Sequence, residues 1–268
     1  MRALVKVRNN ILSLGALRVL GLWRWLRYLG VFVGKLPAIV RSRDLRPLDQ
    51  ALGPTARLFR VRGSRFLFDC AHCDEHVRDG SYAFGLAREI YIRDCYFRFH
   101  RQEVWNSMQM VIDLGANRGA FSVMAAARGS FVLCVEAQAH FAPVIRHNME
   151  INRFTHYAVE TALIGSGGVL ARFEGLRLTM DELFDRHHIE RADLIKLDIE
   201  GSEFGLFEEP RWLRRIGALS MEIHPQYGQP RQLVQALVGN GFQVAMADEN
   251  LRSAFNPEEA VFVFAEKK

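Results

Sequence analysis

The sequence predicts an α/β protein: a mostly parallel sheet with helices on both faces, preceded by a helical and β-hairpin extension. Three observations predict it. From residue 108 onward, strand-like and helix-like stretches alternate. Acids and glycine turns fall where those strands end. The composition, 49% hydrophobic and 24% charged over 268 residues, is that of a globular chain of one large domain with additions. Wholesale disorder, collagen-like repeats and a polytopic membrane protein are thereby excluded. Four cysteines exclude a disulfide-built scaffold.

The first element is a basic arm, residues 1–46. It holds ten Lys and Arg against Asp44 alone, a charge of +9, whereas the remainder has 25 bases and 29 acids, a charge of −4. The net +5 therefore belongs to the arm, and the body lacks the charge of a nucleic-acid-binding protein. Leu4, Val7, Ile11, Leu14, Leu22, Trp25 and Leu29 follow helical spacing. Basic charge, two tryptophans and an apolar stripe fit a helix lying in a membrane interface. A helix packed on the protein's own body, or a targeting or partner-binding segment, fits the same pattern. Arg18, Arg24, Arg27 and Lys35 interrupt every window long enough to span a bilayer. No clear signal-peptide cleavage site follows a long apolar run. The expected location is the cytoplasm, with peripheral attachment at the inner face of the membrane if the arm meets lipid.

Pro37, Pro47 and Pro54 bracket a change of composition, and residues 47–107 read as accessory hairpin and helices. Leu58 to Arg62 and Arg65 to Phe68 flank Gly63-Ser64, a tight-turn signal. Residues 82–101 read as helix, with Phe84, Ala87, Tyr91 and Cys95 on one face. Cys70-Ala-His-Cys73 has the spacing of half a zinc site, but no second pair follows. Reduced, buried thiols are the plainer reading.

Residues 108–268 form the predicted core. Strand candidates are 110–114, 131–136, 157–163, 193–198, 218–224, 242–247 and 260–265, seven in all. Helices are expected near 119–128, 138–152, 179–187 and 229–240. Ligands of such sheets bind beyond the C-terminal strand ends.

Two motifs mark a cofactor site. Val111 to Gly119 runs from an apolar strand into Asp113, then through Gly115, Asn117 and Gly119 to a helix start, where free N–H groups face an anion or carboxylate. Glu136 ends the next strand, 23 residues after Asp113, the spacing that suits ribose hydroxyls. A dinucleotide site wants G-x-G-x-x-G for a pyrophosphate. Here the glycines are Gly115-x-x-x-Gly119, and the Asp113 carboxylate would repel a pyrophosphate but attract an ammonium. S-adenosylmethionine, with an amine, a carboxylate, a ribose and no phosphate, fits those charges.

These motifs resemble those of the FkbM-type S-adenosylmethionine-dependent methyltransferases. Ile112 to Phe121 followed by Val135-Glu136 carries the cofactor part of the likeness. Leu178 to Leu183, Asp193 to Glu203 and Met221 to His224 carry the rest, within residues 108–266. The resemblance implies a seven-stranded class I methyltransferase (Rossmann-like) sheet with a reversed last strand. It implies O-methylation, often of sugars or glycan-linked hydroxyls. Asp113, Gly115, Asn117, Gly119 and Glu136 match cofactor positions, and Asp198 would lie beside the methionine moiety or the substrate. Family members often have proline after the acid, where this chain has Ala137.

The reaction-centre candidates are Lys196, Asp198, Glu200 and His224, with Glu203 beside them. Asp198 ends an apolar strand, Gly201 allows a tight turn, and Glu200 and Glu203 also suit a helix start. Lys196 would otherwise simply pair with an acid. His224 can accept a hydroxyl proton near neutral pH. The expected mechanism is in-line transfer of the methyl group to a hydroxyl of a sugar, glycan or related small molecule, with His224 or an acid as base. A carboxylate–histidine cluster could also hold a divalent metal, which nothing in the spacing demands. The alternatives are an N-methyltransferase, or a non-catalytic module of this fold docking at a membrane or glycan-assembly complex.

Overall fold

A computed structural model describes residues 14–55, 57–169 and 173–267. The chain forms two compact units. The first comprises residues up to Cys95 with 118–128 and 143–155; the second comprises 96–117, 129–142 and 156–268.

In the first unit the arm is two helices, Leu14–Leu20 and Leu22–Ser42. The single helix expected from the spacing breaks at Gly21, whose φ of 77° lies in the left-handed region. Leu4, Val7 and Ile11 lie outside the described residues. Helix Leu22–Ser42 buries Tyr28 and Ile39 and continues through Pro37. Tyr28 packs against Phe84, their ring centroids 6.0 Å apart.

The hairpin forms as read: β1 (Leu58–Val61) pairs antiparallel with β2 (Ser64–Leu67). Its turn is Arg62-Gly63, one residue earlier than expected, with φ values of 48° and 90°. Phe59, Phe66 and Phe68 surround Tyr91, whose hydroxyl donates to the Ala120 carbonyl at 2.8 Å. Asn152 closes a two-way bridge with the Leu67 backbone, 2.7 Å each way, which draws residues 143–155 into this unit. Asp49 and Arg88 form a buried ion pair at 2.9 Å. The helix expected over 82–101 ends at Ile92. Asp94 there adopts a φ of 58° and is held by Arg62 at 2.6 Å. Cys70, Cys73, Cys95 and Cys134 are buried and form no disulfide.

The second unit is built on an eight-stranded sheet. Its strands are β3 (Met110–Leu114), β4 (Phe131–Glu136), β5 (Tyr157–Thr161), β8 (Ala192–Leu197), β9 (Ile216–Glu222), β10 (Phe242–Ala247), β11 (Ser253–Ala254) and β12 (Phe262–Lys267). The order is β11-β10-β12-β9-β8-β3-β4-β5. The five strands β9-β8-β3-β4-β5 pair in parallel. The last strand, β12, is inserted antiparallel between β9 and β10, the reversal the family resemblance implies. The eighth strand is the two-residue β11 at the edge, too short to leave a periodic signature. The expected strand 157–163 splits at Ala162, because Leu163–Ile164 (β6) pairs instead with Arg177–Leu178 (β7) in a small second sheet.

The inner strands carry near-continuous apolar runs, as parallel strands covered on both sides do. Ile112, Leu114, Leu133, Ile195, Leu197 and Leu219 are all fully buried in one cluster. Helix Met180–Arg186 starts at a capping box, in which Thr179 and Glu182 satisfy each other's backbone N–H.

A polar clamp ties β12 to residues 96–101. His100 bridges Glu266 at 2.8 Å and Ser220 at 2.9 Å, and Arg101 also engages Glu266. The hydrogen bond from His100 is the first cause that pulls the Glu266 carboxyl from its ordinary 4.5 to about 2, against the opposing effect of burial and with help from Arg101. A carboxyl whose folded pKa is depressed stabilises the fold above its ordinary pKa, and the stabilisation is lost as pH falls through the folded value. Thermal melts of Glu266→Gln should therefore lie below wild type at pH 6 and converge with it between pH ~4.5 and ~2. Parallel curves across that window would dismiss the clamp.

Candidate active site

Four adjacent parallel strands deliver the site at their C-terminal ends: β3, β4, β8 and β9. After β3, Gly115 takes a φ of 74°, and its N–H and that of Ala116 both reach the Val135 carbonyl, at 2.9 and 3.0 Å. Any Cβ at Gly115 would overlap the Asp198 carbonyl oxygen, so the turn can close only over glycine. Asn117 follows at a φ of 51°, a conformation asparagine tolerates better than most residues. Its N–H donates to Glu136 Oε2 at 2.9 Å, and Gln138 N–H donates to Oε1 at 2.9 Å.

These residues wall an open cleft with a cavity volume of ≈ 90 Å³. Gly115, Asn117, Glu136, Asp198 and Glu200 supply its polar side; Val135, Leu163, Ile164 and Ile199 supply an apolar side. An apolar slot beside a strand-end carboxylate suits a nucleoside, the base against the aliphatic side chains and the ribose hydroxyls on Glu136. Burial pushes the Glu136 carboxyl up, while the two backbone N–H groups and Lys196 pull it down. Each of its oxygens keeps a lone pair for a further donor.

Asp113 is placed differently from the other cofactor candidates. It is fully buried and does not line the cleft; its Oδ1 lies 3.2 Å from Lys196 Nζ. Lys196 also donates to the Gly115 carbonyl at 2.7 Å and the Leu114 carbonyl at 3.3 Å, and lies 3.8 Å from Asp198 Oδ2. Burial alone would lower the ammonium's pKa, but Asp113, Asp198 and Glu136 outweigh it and the net direction is up. Lys196 is thus a fixed cation that positions strand ends, a role the sequence reading offered only as simple pairing. Gly119 lies in the first unit, where its φ of 79° starts helix Ala120–Ala127 against Ile145.

Asp198, Glu200 and His224 converge. His224 Nε2 lies 3.4 Å from Glu200 Oε2 and 4.0 Å from Asp198 Oδ1. Glu203, fully buried, accepts from the His224 backbone N–H at 2.8 Å and its ring Nδ1 at 3.1 Å, and from Gly201 N–H at 2.8 Å. The ring is thereby oriented with Nε2 toward the two acids. Burial disfavours the charged ring, yet Glu203, Asp198 and Glu200 together raise its pKa to about 9. At neutral pH the resting His224 therefore carries a proton. Burial and the neighbouring Asp198 push the Glu200 carboxyl up, with His224 opposing.

Two residues of this site escaped the sequence reading. Tyr96 donates its hydroxyl to Asp198 Oδ2 at 2.9 Å and lies 3.4 Å from Glu222 Oε2. Tyr96 sits in a segment read as a helix face, and Glu222 was passed over within the strand that leads to His224. No local pattern marks either residue; only the position of residue 96 beside β8 and β9 does.

Residues 172–244 match the family model described as the methyltransferase FkbM domain, the stretch that holds Asp193 to Glu203 and His224. That match bears out the recognised likeness and marks the chain as a methyltransferase. No curated protein sequence matches the chain. Among solved structures, the chain is similar to WbdD in complex with the kinase inhibitor LY294002, with 16% identity, 74% of this chain and 47% of that chain covered, and a TM-score of 0.49. It thus spans under half of that protein. It is also similar to a precorrin-6y C5,15-methyltransferase from Geobacter metallireducens, with 15% identity, 62% and 87% covered, and a TM-score of 0.39. An rRNA methylase from Streptococcus thermophilus shows 13% identity, 62% and 92% covered, and a TM-score of 0.41.

Lys196→Met should cost about 3–5 kcal/mol of stability, because Asp113 would be left buried and uncompensated. Urea unfolding of the variant measures this; a loss below about 1 kcal/mol would show that Lys196 does not hold the strand ends together.

Proposed function

We propose that this chain, which carries an FkbM methyltransferase segment, is an S-adenosylmethionine-dependent O-methyltransferase acting on a hydroxyl of a sugar, glycan or related small molecule. The observation that carries the reading is the convergence of Asp198, Glu200 and His224 on the strand ends where Gly115 and Glu136 wall the open cleft. The residues fit the cofactor: an apolar slot, a ribose-facing acid, and a cleft rich in carboxylates that favours a cation such as a sulfonium. When bound, S-adenosylmethionine supplies a methyl group activated on that sulfonium for in-line transfer to oxygen.

The chain's own part is to position and deprotonate. A hydroxyl must lose its proton as it becomes a nucleophile, and oxygen acceptors are needed beside it. Asp198 and Glu200 provide them. His224, protonated at rest, offsets their charge and fixes their separation. Tyr96 and Lys196 hold the other oxygen of Asp198, so that Oδ1 faces His224. Carboxylates that accept several hydrogen bonds at once suit a polyhydroxylated acceptor. The −4 charge outside the arm argues against a nucleic-acid substrate.

Calorimetric titration with S-adenosylhomocysteine, with NAD as control, tests the cofactor. Selective binding is expected, weakened about tenfold in Glu136→Gln by loss of a charged hydrogen-bond acceptor. Folded protein that binds neither ligand would favour the non-catalytic docking module.

A second reading concerns the arm, and a specific pattern supports it. On helix Leu22–Ser42, Leu22, Leu26, Leu29, Val33, Leu36 and Val40 recur at alternating steps of four and three, forming one stripe. All but the half-buried Leu29 are exposed, Val40 to 68%, and the neighbouring Trp23 to 81%. Arg18, Arg24, Arg27, Lys35, Arg41 and Arg43 are exposed too, with no acid between residues 14 and 43. No described helix is long and apolar enough to cross a membrane. An apolar stripe with uncompensated bases suits the surface of an anionic bilayer, where the enzyme would act as a peripheral protein on a membrane-associated glycan. Wild-type protein should co-sediment with phosphatidylserine vesicles, and Leu26→Glu/Val33→Glu should remain in the supernatant. Equal sedimentation of the two would reject the stripe as the contact.

A further inference from the structure

We propose that Asp198, Glu200 and His224 form a binding site for a divalent cation of the manganese type, and that this cation chelates two adjacent hydroxyls of the acceptor. One ligand atom from each side chain lies within 4.8 Å of the others. Two ligands at right angles around a cation with bonds of ~2.0–2.6 Å stand about 2.8–3.7 Å apart, and wider angles open that distance. The observed 3.4 Å from Nε2 to Glu200 Oε2 and 4.0 Å to Asp198 Oδ1 fit around one such centre.

The remaining contacts point the same way. Among the described residues, the atoms that face one another make no hydrogen bond to one another. Glu200 makes none at all through its carboxylate, and Asp198 Oδ1 meets only the His224 ring. Each partner is anchored from behind instead. Asp198 is held through Oδ2 by Tyr96, and His224 through Nδ1 by the fully buried Glu203. A carboxylate on the far nitrogen is the arrangement that orients a metal-ligating imidazole and raises its basicity. Three carboxylates thus surround one imidazole, a concentration of negative charge that a divalent ion balances.

Two oxygens and one imidazole nitrogen suit manganese better than calcium or magnesium, which favour oxygen ligands alone. A six-coordinate ion held by three protein atoms keeps three positions open. Two neighbouring hydroxyls of a sugar can fill two of them, which lowers the pKa of the bound hydroxyl and fixes its oxygen. The chelation step rests on the methyl-transfer reading; cation binding does not.

The test titrates Mn²⁺ alone into the full chain, following loss of the free-ion electron paramagnetic resonance signal. One site per chain is expected, weakened tenfold or more in Glu200→Gln and in Asp198→Asn, and unchanged in the exposed control Asp181→Asn. Glu200 is 61% exposed and hydrogen-bonds to nothing described, so its substitution leaves folding intact. Equal affinity in wild type and Glu200→Gln would overturn the proposal, as would absence of binding in protein that still binds S-adenosylhomocysteine. Manganese binding without S-adenosylhomocysteine binding would instead remove the methyl-transfer reading and leave the cation site standing. With both bound, a vicinal diol such as a methyl glycoside should sharpen or split the bound-manganese spectrum; a spectrum indifferent to the diol would reject the chelation.

Discussion

The buried ammonium of Lys196 is the interaction on which the site depends. It compensates Asp113, which no water reaches, and reaches the Leu114 and Gly115 carbonyls and Asp198 Oδ2 as well. One side chain thereby ties the end of β3 to the end of β8. The desolvation cost of taking a lysine and an aspartate from water is offset by their ion pair and by the carbonyls that Lys196 reaches. The Gly115 turn approaches Asp198 so closely that no side chain fits between them. The Gly115 turn and the end of β8 are therefore packed as one piece.

Positive-φ backbone outside glycine occurs at eight described positions, two of them in this site. Asn117 and Glu200 both hold positive φ, and Gly201 turns tightly beneath the Tyr227 ring. Such conformations persist only when surrounding contacts over-determine them. Here the contacts are identifiable: Glu136 holds the Asn117 N–H, and Glu203 holds the Gly201 N–H while orienting His224. Two buried glutamates, Glu136 at the end of β4 and Glu203 beyond β8, thus serve as backbone anchors. That explains why Glu203, readable as a helix-start acid, instead behaves as the orienting partner of the histidine.

The arm obeys a different constraint. A helix packed on its own unit should hide its apolar side, and Leu22–Ser42 does so with Tyr28 and Ile39. It carries a second apolar stripe that packing leaves in water, beside exposed bases. Singly scattered apolar residues on a surface need no explanation, but a regular stripe from Leu22 to Val40, about five helical turns, is costly in water.

Sequence alone determined the alternation of strands and helices after residue 108, since apolar periods and glycine turns are local properties. It determined the Gly115 and Asn117 turn, Glu136 at a strand end, and the Asp198-to-Glu203 stretch, because those signals lie within a few residues of one another. The Gly21 break needed only a glycine's freedom at positive φ, yet the continuous apolar spacing across it concealed the break. Tertiary structure decided what depends on distant residues. It split the expected strand at Ala162, because Leu163–Ile164 found a partner in Arg177–Leu178. It ended the helix after Ile92 through an ion pair from Arg62. It turned Asp113 from a ligand candidate into the buried partner of Lys196, and it brought Tyr96 and Glu222 to Asp198 across separations of 102 and 126 residues from Tyr96 to the two acids. Periodicity reports which side of an element is apolar; it carries no information on which polar groups from remote segments meet, because that is set by strand order and register.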